Sequence, residues 1–502
     1  MIKKVSLTLI CMLIFLCNVP LKASQKQLSQ ALELVKTNQL KQAVPLLFVL
    51  SKKKGFESER TQIKYILGTA LLELKLYQIA VFQLVEVIRD KNTQYTRQAI
   101  EKLSIAADAL GDETLLNYAV SRVEIGKIPA NQKDMIFFRL GEIQLRNRQF
   151  DKAIEQFNQV RPQSRYFARA QFNKGLALLE AGKPKEAYPI FQSMYKNRSK
   201  SNITDDYRVS AIIAMARAAY QAEEWERAVQ IYRLVPRDHE LWHDALFEMS
   251  WALLRAAKFR SVLSNFHSLH SSYYENYYLA ESLLLRSIVY LFICKYDEMD
   301  KVLDLFDRTY NPMSKQITDF IKSNRDPLQF TIELERARSV LFDGKKENLR
   351  IPISALKFAL NEGDVKGALF YIERINNEKK ILESTPEFTN SALLRYANKV
   401  LNNRIRNTRI SVGEMVKSHL QFLKDDLQEL YEQAGFIRYE MINGKKESLK
   451  KKIAGTSLPK QIDDDNARDF YIQNGYEYWP FDGEYWLDEI GNFHYLGKQS
   501  CD

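Results

Sequence analysis

From residue 25 to about residue 310, small and large apolar positions recur with a period close to thirty-four residues. Gly141, Ala153 and Phe157 return as Gly175, Ala187 and Phe191, and are preceded by Ala107, Ala119 and Val123. Ala216, Ala228 and Tyr232 are followed at the same step by Ser250, Val262 and Phe266. Weaker copies stand at Ala31/Ala43/Leu47, Gly68/Ala80/Leu84 and Ser287/Met299/Leu303. A period of this length marks one supersecondary unit that buries its apolar face only against its neighbours. The spacing predicts two antiparallel helices per unit, with a small residue on the first facing a small residue on the second. The large residue one turn on then fills the space against the next pair. Turn chemistry falls between the helices, as in Arg148-Gln149-Phe150-Asp151 and Ala181-Gly182-Lys183-Pro184, where Gly ends one helix and Pro or Asp opens the next. The longer step from Gly175 to Ala216 predicts a seven-residue loop insertion around 196–204.

These residues resemble the tetratricopeptide repeat. The resemblance implies an all-α fold, an α-solenoid of about eight helical hairpins over residues 24–310, whose first helices line a concave groove. It also implies a module that binds polypeptides and performs no chemistry of its own. In that register, the groove position three before the small residue holds Tyr65, Ser104, Phe138, Phe172, Ile213 and Phe247. Arg217, Tyr220, Trp251 and Arg255 fall on the same wall. Two readings stand side by side: an aromatic and cationic surface for a peptide or helix, or packing within and between repeats.

Residues 311–455 keep helical periodicity but lose the strict repeat after Asn311-Pro312, with a turn at Asn361-Glu362-Gly363-Asp364. Val416, Leu420, Leu423, Leu427, Leu430, Ala434, Ile437 and Met441 alternate steps of four and three, the signature of a coiled-coil seam. The expected partner is Leu393–Ile410, folded back as an intramolecular helical hairpin; a dimerising coiled coil is the alternative. Gly435 and Gly444 each cost a helix about 1 kcal/mol, so a bend or break is expected there.

Residues 456–502 change character. A polar linker with Asp463-Asp464-Asp465 leads into ten aromatic residues among the twenty-six from Phe470 to Tyr495. Asp482-Gly483 and Ile490-Gly491-Asn492 are turn signals between strand-forming residues, which predicts a small aromatic β module held by Trp479 and Trp486. Such a module either caps the helices or binds a glycan strand or a protein. The run Tyr476-Glu477-Tyr478-Trp479-Pro480-Phe481-Asp482-Gly483-Glu484-Tyr485-Trp486 is similar to the C-terminal signature of exported repeat proteins in myxobacteria and predatory bacteria, some of them parts of the gliding-motility machinery.

At the other end, Lys3 and Lys4 precede an apolar run from Val5 to Pro20 and the segment Leu21-Lys22-Ala23-Ser24. This pattern predicts a signal peptide over residues 1–23, export to the periplasm and a mature chain starting near Ser24. The run is shorter than the ~20 apolar residues that span a bilayer, and no later segment is long enough, so no transmembrane span is expected after cleavage. Removing Lys3, Lys4 and Lys22 lowers the net charge from +11 to +8. The basic residues are scattered, which does not point to nucleic acid. Cys294 and Cys501 remain in the mature chain, and free thiols are expected, with a pair between them as the alternative.

Nucleophile elbows, phosphate loops, zincin motifs and CxxC pairs are absent from the sequence. Ala280-Glu281-Ser282 is similar to the segment that carries the catalytic glutamate of lytic transglycosylases, without the Gly-rich motif that follows it there. His239 and His243 begin the first helix of one repeat and His267 and His270 end its second, so their ends meet, but helix-end histidines are expected rather than a metal site. No cofactor is expected. The sequence therefore predicts a non-catalytic periplasmic scaffold for cell-envelope proteins; the alternative is a peptidoglycan- or glycan-binding protein acting through its aromatic tail.

Overall fold

The computed structural model describes residues 23–90, 94–112, 114, 130–196, 205–453, 485, 486 and 488–495. Among them stand nineteen α-helices and no β-strand. The N-terminal apolar run, Trp479 and Cys501 lie outside the described residues.

Seven helical pairs follow one another: α1 (Ala23–Lys36) with α2 (Leu40–Leu50), α3 (Arg60–Glu73) with α4 (Tyr77–Arg89), α6 (Ala130–Arg146) with α7 (Phe150–Asn158), α8 (Phe167–Glu180) with α9 (Pro184–Lys196), α10 (Asp205–Gln221) with α11 (Trp225–Tyr232), α12 (Trp242–Arg255) with α13 (Phe259–Leu269), and α14 (Ala280–Phe292) with α15 (Tyr296–Ser323). Helix α5 (Thr96–Leu110) stands between the second and third pairs. The repeat positions explain this regularity. Ala43, Ala80, Ala153, Ala187, Ala228, Val262 and Met299 are all fully buried, as are Leu47, Leu84, Phe157, Phe191, Phe266 and Leu303. One detail differs from the expected small-against-small contact. The large residue of the second helix lies directly on the small residue of the first: a Cβ added to Gly141 would come within 2.5 Å of the Phe157 ring, and one on Gly175 within 2.5 Å of Phe191.

The turn inside each pair repeats as well. Asn38, Lys75, Arg148, Gly182, Glu223, Ala257 and Cys294 each take a left-handed backbone conformation, with φ between 56° and 72°, as does Gly111 at the end of α5. At Ala257, the amide bonds to the Leu254 carbonyl at 2.9 Å and the next amide, of Lys258, to Leu253 at 2.9 Å. This Schellman closure satisfies carbonyls that the end of α12 leaves free.

Beyond the repeats come α16 (Pro327–Asp343), α17 (Ile353–Asn361), α18 (Gly363–Ser384) and α19 (Ala392–Ile453). Asp326 caps α16 by accepting the Leu328 amide, with Pro327 at its first position. The expected turn at Asn361–Asp364 separates α17 from α18. Where the strict repeat fades at Asn311-Pro312, α15 runs on, because Phe306, Tyr310, Met313, Ile317 and Phe320 carry the buried stripe past Pro312. One expectation is corrected here. The helical hairpin is absent: Leu393–Ile410 and the seam are parts of one 62-residue helix, α19. No proline and no left-handed residue interrupts it. Arg404, Arg406 and Arg409 are good helix formers rather than turn residues. Gly413 permits close approach, since a Cβ there would run into the Pro327 carbonyl, and Gly444 lies against the Tyr296 ring. The seam is buried as expected, but its partner is α15, antiparallel to it. Lys445 pairs with Asp297, Arg438 with Asp300, Asp304 and Asp307, and Tyr431 meets Phe306 edge-on at 5.0 Å.

The chain divides into two compact units, Met1–Arg122 with Tyr371–Ile405 and Val123–Phe370 with Arg406–Asp502. In the first, Tyr396 of α19 packs on Phe48 of α2 at 5.1 Å, with the Lys52 ammonium over both rings, and Arg404 covers Phe82 of α4. The second holds α6 to α17 and the remainder of α19.

Candidate functional site

The residues expected to line a groove separate into two groups. Tyr65 stacks on Tyr95 at 5.0 Å, Phe138 on Tyr166 at 5.3 Å, and Phe172 meets Tyr207 edge-on at 5.9 Å. Each tyrosine belongs to the start of the next first helix or immediately precedes it, so these aromatic pairs hold successive repeats together. Phe138 is fully buried, with the Arg139 and Arg169 guanidinium groups over its ring at 5.2 and 4.8 Å. It therefore offers no surface to a ligand. The tyrosines that receive these rings lie outside the repeat register used to find them, which is why the sequence pattern passed over them.

The second group lies on α10 and α12. Arg217 donates through Nε and Nη2 to the two carboxylate oxygens of Glu248, at 2.9 and 2.6 Å. The Tyr232 hydroxyl donates to the same carboxylate at 2.8 Å, and burial with the nearby Glu248 charge pushes its pKa up. Hydrogen bonding to Glu248 holds the Arg217 guanidinium charged, and its side chain remains largely exposed. Phe247 and Trp251, one turn apart on α12, are half-buried. Nearby, Tyr220 meets Trp225 edge-on at 4.9 Å and Arg255 covers the same indole at 4.8 Å.

The tail corrects the expected β module. The described residues of the tail, 485, 486 and 488–495, form no strand; 488–495 are a turn and an extended strap on the α12–α13 pair. The Gly491 amide donates to Ser268 Oγ at 2.7 Å and the Tyr495 amide to Ser264 Oγ at 2.9 Å. Arg237 donates to the Asn492 side-chain oxygen at 2.6 Å. Gly491 has φ +83°, and a Cβ on it would stand 2.8 Å from the Trp242 ring. Ile490 is buried, and Phe493 lies edge-on to His267 at 4.2 Å. The turn at Ile490-Gly491-Asn492 is present, but two serine hydroxyls one helical turn apart read its backbone in place of a neighbouring strand. Trp486 is 62% exposed.

The four histidines do not converge on an ion. His239 accepts the Leu241 amide, and His243 lies between Tyr274 and Tyr277 at 4.8 and 4.3 Å. His267 faces the tail, and His270 contacts Ser282 and Arg286. Burial, then the Arg286 charge, lowers His267 to about 4 and pushes His270 well below the usual histidine range. Among the described residues, no group of three or more His, Cys, Asp or Glu side chains is placed to hold a metal. Cys294 is disulfide-bonded, which corrects the expectation of a free thiol; the other cysteines of the chain lie outside the described residues.

One polar cluster had no signal in the sequence. Glu378 on α18 accepts the Gln78 and Ile79 amides at the start of α4, at 2.7 and 3.0 Å, while the Tyr371 hydroxyl donates to Gln78 Oε1 at 2.6 Å. Burial raises Glu378 to about 7 against the opposing effect of those two amides.

No curated protein matches the chain. Among solved structures, the apo form of RapI is similar at a TM-score of 0.37 and 13% identity, over 72% of this chain and 99% of its own. A Rap protein complexed with Competence and Sporulation Factor is similar at 0.29 and 11%, over 71% and 99%. Residues 138–202, which begin within α6 and include α7 to α9, match the tetratricopeptide repeat family.

Proposed function

We propose that this chain is a non-catalytic scaffold or adaptor of the cell envelope that holds protein partners on the first helices of its solenoid. The observation that carries this reading is the wall of α10 and α12. There, Glu248 fixes an exposed guanidinium bidentately, and Phe247 and Trp251 keep part of their surface in solvent. A preorganised arginine beside large aromatic side chains has the composition of interface anchors. The disulfide at Cys294 supports an oxidising compartment, in keeping with the signal-peptide pattern at the N-terminus. A place in a gliding-type machine rests on the resemblance of the tail alone.

Site-specific photo-crosslinking tests the reading. A photoreactive residue replacing Trp251 is expected to give discrete protein adducts, and one replacing Lys185 on the second helix α9 to give none. Equal labelling from both positions would contradict a groove-borne site. Mass spectrometry of the native protein is expected to place the N-terminus near Ser24; an intact Met1 would remove the envelope setting.

The exposure of Trp486 favours a second reading, in which the tail binds peptidoglycan. Co-sedimentation with peptidoglycan that disappears in Trp486→Ala would support it, and unchanged sedimentation would exclude that tryptophan as the contact.

A further inference from the structure

We infer that the outward face of the last turns of α19 rests on an anionic lipid bilayer, independently of the groove reading above. Leu430, Ala434 and Met441 are buried on the face turned to α15, and beside that face apolar side chains stand in solvent. Phe436, Tyr439, Ile442 and Leu449 are 73%, 62%, 60% and 57% exposed. Single exposed apolar side chains are ordinary, but Tyr439, Ile442 and Leu449 follow one another along one side of the helix over roughly 15 Å at the α-helical rise, with Phe436 one turn before them.

Charge decides what covers the stripe. From Lys445 to Lys452, the chain carries five lysines and one glutamate. Lys446 is exposed in the same row, since Tyr439, Ile442, Lys446 and Leu449 follow in steps of three, four and three. That row has the spacing of a coiled-coil seam, but in a parallel two-fold pairing with a second copy Lys446 would face its own counterpart. A lysine-rich helix end beside an apolar row, outweighing the exposed Glu440 and Glu447, is complementary instead to an anionic surface. Lysine stems lie on the apolar layer there while their ammonium groups reach the phosphates, and Phe and Tyr occupy the headgroup boundary. No helix among the described residues is long and apolar enough to cross a membrane, so the helix lies on the bilayer rather than spanning it.

The test is co-sedimentation of the full chain with phosphatidylcholine vesicles, with and without phosphatidylglycerol. The protein is expected to bind the anionic vesicles about tenfold or more tightly than the neutral ones, and less so as salt rises. Phe436→Ser/Tyr439→Ser/Ile442→Ser should abolish vesicle binding with an unchanged melting temperature, because these side chains are exposed. Lys446→Glu/Lys450→Glu should remove the preference for phosphatidylglycerol. Equal binding to both vesicle types, or vesicle binding that survives the triple substitution, would overturn the proposal. So would sedimentation velocity showing a dimer that the triple variant dissociates while vesicle binding persists, which would assign the stripe to a second copy.

Discussion

Glu378 and Gln78 stand 300 residues apart in sequence, and the carboxylate of the first accepts the backbone amide of the second at 2.7 Å. With the Ile79 amide also bonded to it, the side chain caps α4 from another helix, filling the role that a local Ser or Asp usually has. The capped end is buried, so the charged form of the carboxylate is disfavoured even though two amides point at it.

This arrangement makes the first unit sensitive to pH. The folded pKa of Glu378 is raised to about 7, above the ordinary carboxylate value, so the folded state holds its proton where the unfolded chain has lost it. Its contribution to stability is present below about pH 4.5 and is lost as pH rises through about 7, up to about 3 kcal/mol. Chemical denaturation from pH 4.5 to 8, compared between wild type and Glu378→Gln, should show a downward slope in the wild type that the variant lacks. Parallel curves would show that the carboxylate does not titrate in this range.

Two glycine-to-alanine changes, both inside helices, should act in opposite directions. At Gly141, the added methyl meets the Phe157 ring, so the substitution should destabilise by about 1–3 kcal/mol. At Gly435, nothing stands within 4 Å of the added carbon, and the gain in helix propensity should stabilise by about 0.5–1 kcal/mol. Urea unfolding of both variants checks the signs; a neutral Gly141→Ala would mean that the ring is free to move.

The contrast between these glycines marks how far the sequence could be read. Positions that repeat every thirty-four residues were legible because they are fully buried in each copy described, and burial tolerates few residue types. The turns were only half legible: Gly182 announces a left-handed residue, whereas Lys75, Arg148, Glu223, Ala257 and Cys294 hold the same conformation without a glycine. The seam of α19 was visible, but an apolar seam does not name its partner, and Leu393–Ile410 was assigned where α15 stands. Alternating aromatic residues near the C-terminus read as strands because the hydroxyls of Ser264 and Ser268, which hold that segment, are distant in sequence. The Arg217–Glu248 pair links two helices, and residue types alone gave Arg217 without its carboxylate.

The strap at 488–495 should loosen when its anchor is removed or when the solution is acidified. Arg237→Ala deletes the contact to Asn492, and hydrogen exchange at Gly491 and Tyr495 should then rise about tenfold, the equivalent of one net hydrogen bond. His267, beside Phe493, has a folded pKa lowered to about 4, below that of the unfolded chain. The stability linked to it is therefore present above about pH 6.5 and lost as pH falls through about 4. Protection factors at the two amides, corrected for the intrinsic pH dependence of exchange, should fall over that interval in the wild type and stay flat in His267→Phe. Unreduced peptide mapping is expected to recover Cys294 in a disulfide-linked peptide; a free Cys294 thiol would contradict the bond.

Protein recognition by the wall of α10 and α12 is most directly tested by titration calorimetry of the partner captured through Trp251, against wild type and Phe247→Ser/Trp251→Ala. Loss of two aromatic anchors should weaken Kd by at least about thirtyfold, corresponding to about 2 kcal/mol, with the melting temperature close to that of the wild type. An unchanged Kd in a folded variant would contradict the account.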